Sequence, residues 1–191
     1  METKSFMSFL NNKKMKKENL DEPNSIRTFS GNYLNVFMPD PDKILIEDIA
    51  HALSHQCRFS GHLKEFYSVA QHSIMCSTFV SLENKFAALM HDASEAYLVD
   101  IPSPIKHNLD HYREVEHKLM KIIADKFGFI YPLNEEIKKV DREMLELEWE
   151  ELMINEIKSE IIIPLSHKEA KLDFLQHFET LQPKKVENEK I

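Results

Sequence analysis

The sequence has few of the residues from which glycine-rich loops, disulfides and membrane spans are built. Only three of its 191 residues are glycine, and neither G-x-x-x-x-G-K nor G-x-G-x-x-G occurs, which argues against a glycine-rich phosphate-binding loop. The two cysteines, Cys57 and Cys76, lack the spacing of a metal-binding pair, and we expect reduced thiols in a cytoplasmic protein. No apolar run approaches about 18 residues, so we expect no membrane span and no membrane partner.

Basic residues are in the minority. Lys and Arg number 24 against 32 Asp and Glu, which gives a formal net charge of −8 at pH 7 and argues against binding of a nucleic-acid polymer. A small anionic ligand would therefore need a local cation. The length and a hydrophobic content of 42% are typical of one globular domain. We expect that domain over residues 26–183, with a flexible extension over residues 1–25 and a flexible tail over residues 184–191.

The spacing of apolar residues predicts an all-α fold, a single bundle of about six or more helices without a convincing sheet. Capping boxes at Ser68 and Ser166 indicate two helix starts, and Gly128 indicates a helix end. The predicted helices cover "ILIEDIAHALSH", the residues after Ser68, residues 84–98, "HYREVEHKLMKIIADKF", residues 134 to beyond 149, and residues 167 to 181.

The segment "AALMHDASEAYLVDIPSPIK" contains three side chains suited to metal binding or proton transfer. His91 and Glu95 are four residues apart, and Asp92 and Glu95 are three apart, so on a helix all three would share one sector. One interpretation is a catalytic or metal-binding site, and the other is an exposed polar stripe. The segment alone leaves both open.

Asp141 and His72, on two other predicted helices, extend this set. Asp141 lies beside the apolar face of its helix, where burying an unpaired carboxylate would cost several kcal/mol, so it needs a cation or hydrogen-bond donors. His72 lies in the first turn of its helix. Together with His91 and Asp92 they provide two imidazoles and two carboxylates, which suit a divalent transition ion or Mg²⁺. The alternatives are a salt-bridged acid at Asp141 and a hydrogen-bonded core histidine at His72.

The order H…HD…D resembles that of the HD-domain metal-dependent phosphohydrolases. "HDASEAYLVDIPSPIK" is similar to the HDxSE…GDxPxPxK segment of bacterial 5′-deoxynucleotidases of this superfamily. "IEDIAHALSHQCRFSGHLKEFYSVAQHS" is similar to a stretch of short bacterial and phage HD hydrolases. The resemblance covers residues 28–106 and the helix that carries Asp141.

The resemblance implies a metal site and a catalytic glutamate. The ligands of one divalent ion, Co²⁺, Mn²⁺ or Mg²⁺, would be His72, His91, Asp92 and Asp141. Glu95 would orient the attacking water or shuttle its proton, as the corresponding glutamate does in similar nucleotidases. Its alternative role is that of an ordinary surface glutamate.

Five further residues are candidates for binding the substrate. Arg58 resembles the phosphate-binding arginine of the family, since a guanidinium suits phosphate oxygens, and Asp100 matches the position that accepts a hydrogen bond from the sugar 3′-hydroxyl. Phe59 is a candidate to pack on the sugar or base, and His62 and Lys106 to contact phosphates. The alternatives are surface charge for Arg58 and Lys106, a turn residue for Asp100 and a core aromatic for Phe59.

Two departures from the family pattern put the substrate preference in doubt. The chain has Val99 where the nucleotidases usually have glycine before the aspartate of "GDxPxP", and this difference would alter the turn before Asp100. It also has Phe59 where the nucleotidases have tryptophan after the arginine. Neither position belongs to the implied metal site.

Other histidines follow metal-like spacings without completing a motif. His51 and His55 are four residues apart, but "HALSH" lacks the glutamate of H-E-x-x-H, and we expect structural or supporting roles. His107, His111 and His117 follow the "HD" segment, a region where dinuclear HD proteins carry extra ligands. Because no other part of the resemblance is dinuclear, we expect one metal ion.

The sequence thus predicts a hydrolase that removes phosphate from a small nucleotide or nucleotide analogue. Similar proteins act on deoxynucleoside monophosphates or on triphosphates; they include phage enzymes that deplete dATP and a relative from oxetanocin antibiotic biosynthesis. HD nucleotidases are often homodimers, which makes a homodimer a candidate assembly. The alternatives are a dinuclear-metal oxygenase on an HD scaffold and a catalytically silent nucleotide-binding module.

Overall fold

The computed structural model describes residues 22–155 and 159–183. The described residues form eight α-helices and one two-stranded sheet, which confirms the predicted all-α fold class. Most of the predicted N-terminal extension and all of the predicted C-terminal tail lie outside the described residues. Within the described part, the first strand already begins at Ser25.

The elements follow one another along the chain with short connections. Strands β1 (Ser25–Arg27) and β2 (Tyr33–Asn35) are antiparallel and pair Ile26 with Leu34. The helices are α1 (Ile46–His55), α2 (Val69–Thr78), α3 (Lys85–Leu89), α4 (Glu95–Leu98), α5 (Ser103–Lys106), α6 (Asp110–Phe127), α7 (Glu135–Glu148) and α8 (His167–Leu181). A π-helical turn, Trp149–Ile154, continues α7, and 3₁₀ turns cover Pro41–Lys43, Arg58–Gly61 and Leu82–Asn84.

Helices α1, α2, α3 and α8 pack against one another and carry most of the core. A second apolar cluster lies where α2, α3 and α7 meet, and includes Cys76, Ala88, Ile137, Val140 and Met144. This cluster confirms the apolar face predicted for α7. It brings together the helices that carry His72 and Asp141 and the end of the helix that precedes His91.

Local sequence signals account for several helix ends. The Ser68 hydroxyl accepts a hydrogen bond from the Gln71 amide at the start of α2, and Ser166 and Glu169 form a complete capping box at α8. Gly128, at φ +82°, ends α6 in the left-handed conformation that glycine adopts readily. At Ser68 the predicted box is only half formed, because the Gln71 side chain instead bonds the backbone of Ile163 and Leu165.

Two predictions of secondary structure are wrong. A short sheet is present where none was expected, and the helix predicted over residues 84–98 is interrupted. α3 ends at Leu89, residues 90–94 form turns, and α4 begins at Glu95. In a continuing helix the Ala88 carbonyl would accept the amide of Asp92. Here it accepts from the amide and Nδ1 of His91, at 3.4 and 2.7 Å, so His91 and Asp92 lie in the break between two helices.

No helix among the residues described is long and apolar enough to cross a membrane.

Candidate metal centre

His72 is fixed in one orientation by a buried carboxylate. It is fully buried on α2, and its Nδ1 donates to Glu148 Oε1 at 2.6 Å. Because the carboxylate of Glu148 can only accept, the other ring nitrogen is available at the opposite edge. That nitrogen, Nε2, lies 3.1 Å from Asp141 Oδ1 and 3.8 Å from Asp92 Oδ2.

His91 presents the same ring nitrogen to the same two acids. Its Nδ1 donates to the Ala88 carbonyl, which leaves Nε2 as the ring nitrogen that faces the two carboxylates. This Nε2 lies 3.2 Å from Asp92 Oδ2 and 3.6 Å from Asp141 Oδ1. These distances are within ion-pair range, but Nε2 is a buried atom that makes no hydrogen bond.

These side chains could hold a metal ion. One potential ligand atom from each of His72, Cys76, His91 and Asp141 lies within 4.8 Å of the others, and no other group of three or more such residues occurs in the part of the chain that the structure describes. Asp92, a predicted ligand, is not in this group, although its Oδ2 lies near Nε2 of both histidines. Imidazole nitrogens oriented by hydrogen bonds from their other ring nitrogen, and flanked by carboxylates, are typical of divalent-metal sites. Nε2 of His91, which has no hydrogen-bond partner, is suited to bind a metal ion.

The pKa values of the group reflect how closely opposite charges are placed. Burial disfavours charge on both imidazoles, yet neighbouring carboxylates raise the pKa of His72 and of His91 well above its usual value. Burial likewise disfavours charge on Asp141, but the two imidazoles lower the pKa of its carboxyl group far below the usual range. The carboxylates thus favour positive charge at the imidazole edge, which a bound cation would also supply.

Arg58 and Tyr67 complete a buried network around Glu148. Glu148 has no exposed surface. Its Oε2 accepts from Arg58 Nε and Nη2 at 3.2 and 3.0 Å, and its Oε1 accepts from the Tyr67 hydroxyl at 2.9 Å. Arg58 Nη1 lies 3.6 Å from Asp100 Oδ2. One carboxylate on α7 therefore positions both a candidate metal ligand and the candidate phosphate-binding arginine.

Glu95 is a buried carboxyl group with one uncommitted oxygen. It is 5% exposed; Oε1 accepts from Lys106 Nζ at 3.3 Å, while Oε2 has no hydrogen-bond partner. Burial, followed by the charges of Asp92 and Asp100, raises the pKa of Glu95 well above its usual value, and Lys106 opposes this. A raised pKa makes the ionised carboxylate a stronger base, as a group that takes a proton from water requires.

A cavity of about 770 Å³ adjoins this cluster, within the size range of ligand sites, roughly 300–1,000 Å³. Seven of the ten residues predicted for the site line it: Arg58, Phe59, Asp92, Glu95, Asp100, Lys106 and Asp141. His72 and His91 are buried at the cluster. His62 is exposed and does not line the cavity, so the structure does not bring it to the other candidates.

The remaining histidines lie elsewhere. His51 and His55 stack on each other, His51 stacks on Phe29, and the ring of His55 lies near that of His167. His107 and His117 line a second cavity beyond Lys106. None of these histidines belongs to the group of potential metal ligands among the described residues.

Three residues near the site were not predicted from the sequence. Cys76 lies four residues after His72 on α2, and Glu148 lies seven residues after Asp141 on α7. Helical spacing places each on the same face as its partner, so both could have been found. Trp149 lies in the cavity wall on the π-helical turn, and no sequence pattern indicated it.

Comparison with known proteins identifies relatives without a described function. No family model matches the chain. It is 44% identical over 131 residues to "Uncharacterized protein YfdR" of Escherichia coli (strain K12), covering 69% of this chain and 74% of YfdR. It is 33% identical over 140 residues to "Uncharacterized protein RCAP_rcc00048" of Rhodobacter capsulatus, covering 66% and 71% of the two chains. The chain therefore belongs to the same protein family as YfdR.

Proposed function

We propose that the protein is a divalent-metal-dependent phosphohydrolase of the HD superfamily that removes phosphate from a small nucleotide. The observation that carries the proposal is the pair of oriented imidazoles. Both present Nε2 to Asp92 and Asp141, beside a cavity lined by a buried arginine and a lysine. The resemblance of "HDASE" and the surrounding segments to HD nucleotidases supports the same assignment.

The residues that would hold the ion are His72, His91, Asp92 and Asp141, with Cys76 as a further donor. A divalent ion bound there would supply a Lewis acid for a phosphoryl oxygen and a water nucleophile at neutral pH. The hydrogen bonds from His72 to Glu148 and from His91 to Ala88 hold both ligand nitrogens in place.

Glu95 is assigned the transfer of a proton from the attacking water. Its Oε2 has no hydrogen-bond partner, and the raised pKa of Glu95 suits a group that takes a proton from attacking water and passes it on. Lys106 holds the other oxygen and so orients the carboxyl group.

Arg58 and Asp100 are assigned to binding of the substrate. Glu148 fixes Nε and Nη2 of the guanidinium, and Nη1 remains on the side of Asp100 and the cavity. From this position Arg58 balances phosphate charge, and Asp100 accepts a hydrogen bond from the sugar.

Phosphate release tests the proposal. Chelator-stripped protein is supplied with Co²⁺, Mn²⁺ or Mg²⁺ and a panel of nucleoside mono-, di- and triphosphates, and products are separated by chromatography. We expect metal-dependent turnover that falls by about 10²–10⁴-fold in Glu95→Gln and is lost in Asp141→Asn. Glu114→Gln, a substitution of an exposed glutamate on α6, is the matched control and should retain turnover.

The opposite results separate the alternatives. Turnover that persists in both Glu95→Gln and Asp141→Asn would come from a contaminant and would refute the proposal. Metal and nucleotide binding without turnover would favour a silent binding module. Oxygen consumption with two metal ions per chain would favour the dinuclear oxygenase.

A further inference from the structure

Part of the cavity wall is aromatic. Trp149, 50% exposed, lines the cavity together with Leu145 and Ile154. The ring of Phe59 lies 6.0 Å from that of Trp149, centroid to centroid, at an angle of 48°. A half-exposed indole in the wall of a cavity leaves one face available for a planar ligand.

The buried ion pair explains why the two rings meet. Phe59 directly follows Arg58, and Trp149 directly follows Glu148. The contact of Arg58 Nη2 with Glu148 Oε2, at 3.0 Å, therefore brings the two aromatic residues together from positions far apart in the chain. The same Glu148 holds His72, so the aromatic pair has a fixed position relative to the metal cluster.

The local backbone is unusual at both residues. Phe59 adopts a left-handed conformation, with φ +53° and ψ +35°, which a bulky residue rarely does. Trp149 begins a π-helical turn, a feature that is frequent at functional sites. Strain of this kind persists where the surrounding structure imposes it, and it is concentrated at ligand sites.

Arg58 connects the aromatic wall to the metal cluster. Its Cζ lies 5.7 Å from the centroid of the Phe59 ring, and its Nη1 lies 3.6 Å from Asp100 Oδ2. A phosphate group is attracted to Arg58 and Lys106 and repelled by the exposed carboxylates Glu146 and Glu150, which also line the cavity. An uncharged aromatic group joined to a phosphate at Arg58 would lie within reach of Trp149.

We propose that Trp149, paired with Phe59, is the stacking surface for the nucleobase of the substrate. The inference rests on the proposed function in one respect, namely that the ligand is a nucleotide. It adds that recognition includes the base and not only the sugar phosphate.

Trp149 is the only tryptophan in the chain, so intrinsic fluorescence reports on this site directly. Glu95→Gln protein with Mn²⁺ is titrated with 2′-deoxyadenosine 5′-monophosphate and, separately, with 2-deoxyribose 5-phosphate. We expect saturable quenching by the nucleotide and little or none by the sugar phosphate. Equal quenching by both ligands, or quenching by neither, would overturn the inference.

Two substitutions at position 149 provide an independent measurement. Equilibrium dialysis of the labelled nucleotide should show binding weakened by about 5- to 150-fold in Trp149→Leu, which corresponds to the range for one base–aromatic stack. Trp149→Phe, which retains a ring, should recover most of the affinity, and sugar phosphate binding should be equal in all three proteins. Equal nucleotide affinity in Trp149→Leu and Trp149→Phe would refute the stack.

The outcomes distinguish this inference from the proposed function. If phosphate release does not depend on Trp149, the proposed stacking surface is refuted, whereas the proposed hydrolase activity is supported. Base-dependent quenching without release of phosphate by the unsubstituted protein supports the stacking surface and refutes the hydrolase.

Discussion

The two histidines of the candidate metal centre lie in contrasting surroundings. Around His72, buried polar groups are paired within the protein, because Glu148 accepts from His72, Tyr67 and Arg58. Around His91, two buried atoms, His91 Nε2 and Glu95 Oε2, have no hydrogen-bond partner.

The site thus has two halves, a complete one around His72 and Glu148 and an incomplete one around His91 and Glu95, and the contrast assigns them different roles. Buried polar groups in folded proteins are nearly always satisfied, and an exception needs an explanation. The half around His72 is complete and holds α2 and α7 together with Arg58. The half around His91 has unused bonding capacity on the side of the cavity, and this is the side to which the proposal assigns the metal and the water.

Glu148→Leu should have the largest effect on stability, because it breaks the complete half. Removing one member of a buried ion pair costs about 3–5 kcal/mol, and here both Arg58 and His72 lose their shared acceptor. Urea denaturation should show this loss in the free energy of unfolding. Glu143→Leu, at an exposed position on the same helix, should change stability by less than about 0.5 kcal/mol. Equal losses in the two variants would show that the network adds no stability.

Metal addition should stabilise the protein through the incomplete half. At a Mn²⁺ concentration about 100 times its Kd, the free energy of unfolding should rise by about 2.7 kcal/mol, and chelator should reverse the gain. The gain should vanish in Asp141→Asn and remain in Asp125→Asn, which changes an exposed acid on α6. Thermal unfolding with and without metal measures it; an undiminished gain in Asp141→Asn would exclude this cluster as the site.

Tyr67→Phe probes a single hydrogen bond in the complete half. The hydroxyl donates to Glu148 Oε1 at 2.9 Å, and Tyr67 is 1% exposed. Hydrogen bonds to charged groups contribute about 1.5–3 kcal/mol, and His72 continues to donate to the same oxygen, so we expect a loss of about 2 kcal/mol. Tyr131→Phe, which removes a hydrogen bond to the exposed His117, should cost less in the same unfolding experiment. A loss for Tyr67→Phe no larger than that for Tyr131→Phe would indicate that His72 and Arg58 alone satisfy Glu148.

The sequence predicts the incomplete half better than the complete one. His91, Asp92, Glu95 and Asp141 belong to short motifs or helical faces, which local spacing reveals. Glu148 is one of five glutamates between residues 143 and 151, and its partners Arg58 and His72 lie 90 and 76 residues away. Helical periodicity does not indicate which of several glutamates pairs with a distant arginine.

The fold, too, is only partly predictable from local sequence patterns. Capping residues and apolar spacing predict α1, α2, α6, α7 and α8. Four of these helices have one apolar face, whereas α2 is buried on nearly all sides and is indicated by the Ser68 cap. The interruption at residues 90–94 was missed because it depends on the His91 side chain bonding the Ala88 carbonyl, and helix propensity does not describe that competition.

Val99→Gly should have the smallest effect, and it acts on the turn beside the incomplete half. Val99 has φ +72° and ψ +143°, close to a region that essentially only glycine occupies, at a cost of about 1–3 kcal/mol. The turn is held on both sides, since Tyr112 donates to the Val99 carbonyl and the Asp100 amide donates to Gln56 Oε1. Because Val99 is 60% exposed, its replacement forfeits little burial.

Glycine relieves this strain but makes the unfolded chain more flexible, at a cost of about 0.5–1 kcal/mol, so we expect a net gain of about 1 kcal/mol. Val99→Ala retains a Cβ atom and should gain less in the same urea experiment. A loss of stability in Val99→Gly would mean that the valine side chain makes up for its backbone strain. If the gain is found together with unchanged binding of the sugar phosphate, the strain at Val99 does not contribute to placing Asp100; if it is found with weakened binding, the strained turn helps to hold Asp100 beside Arg58.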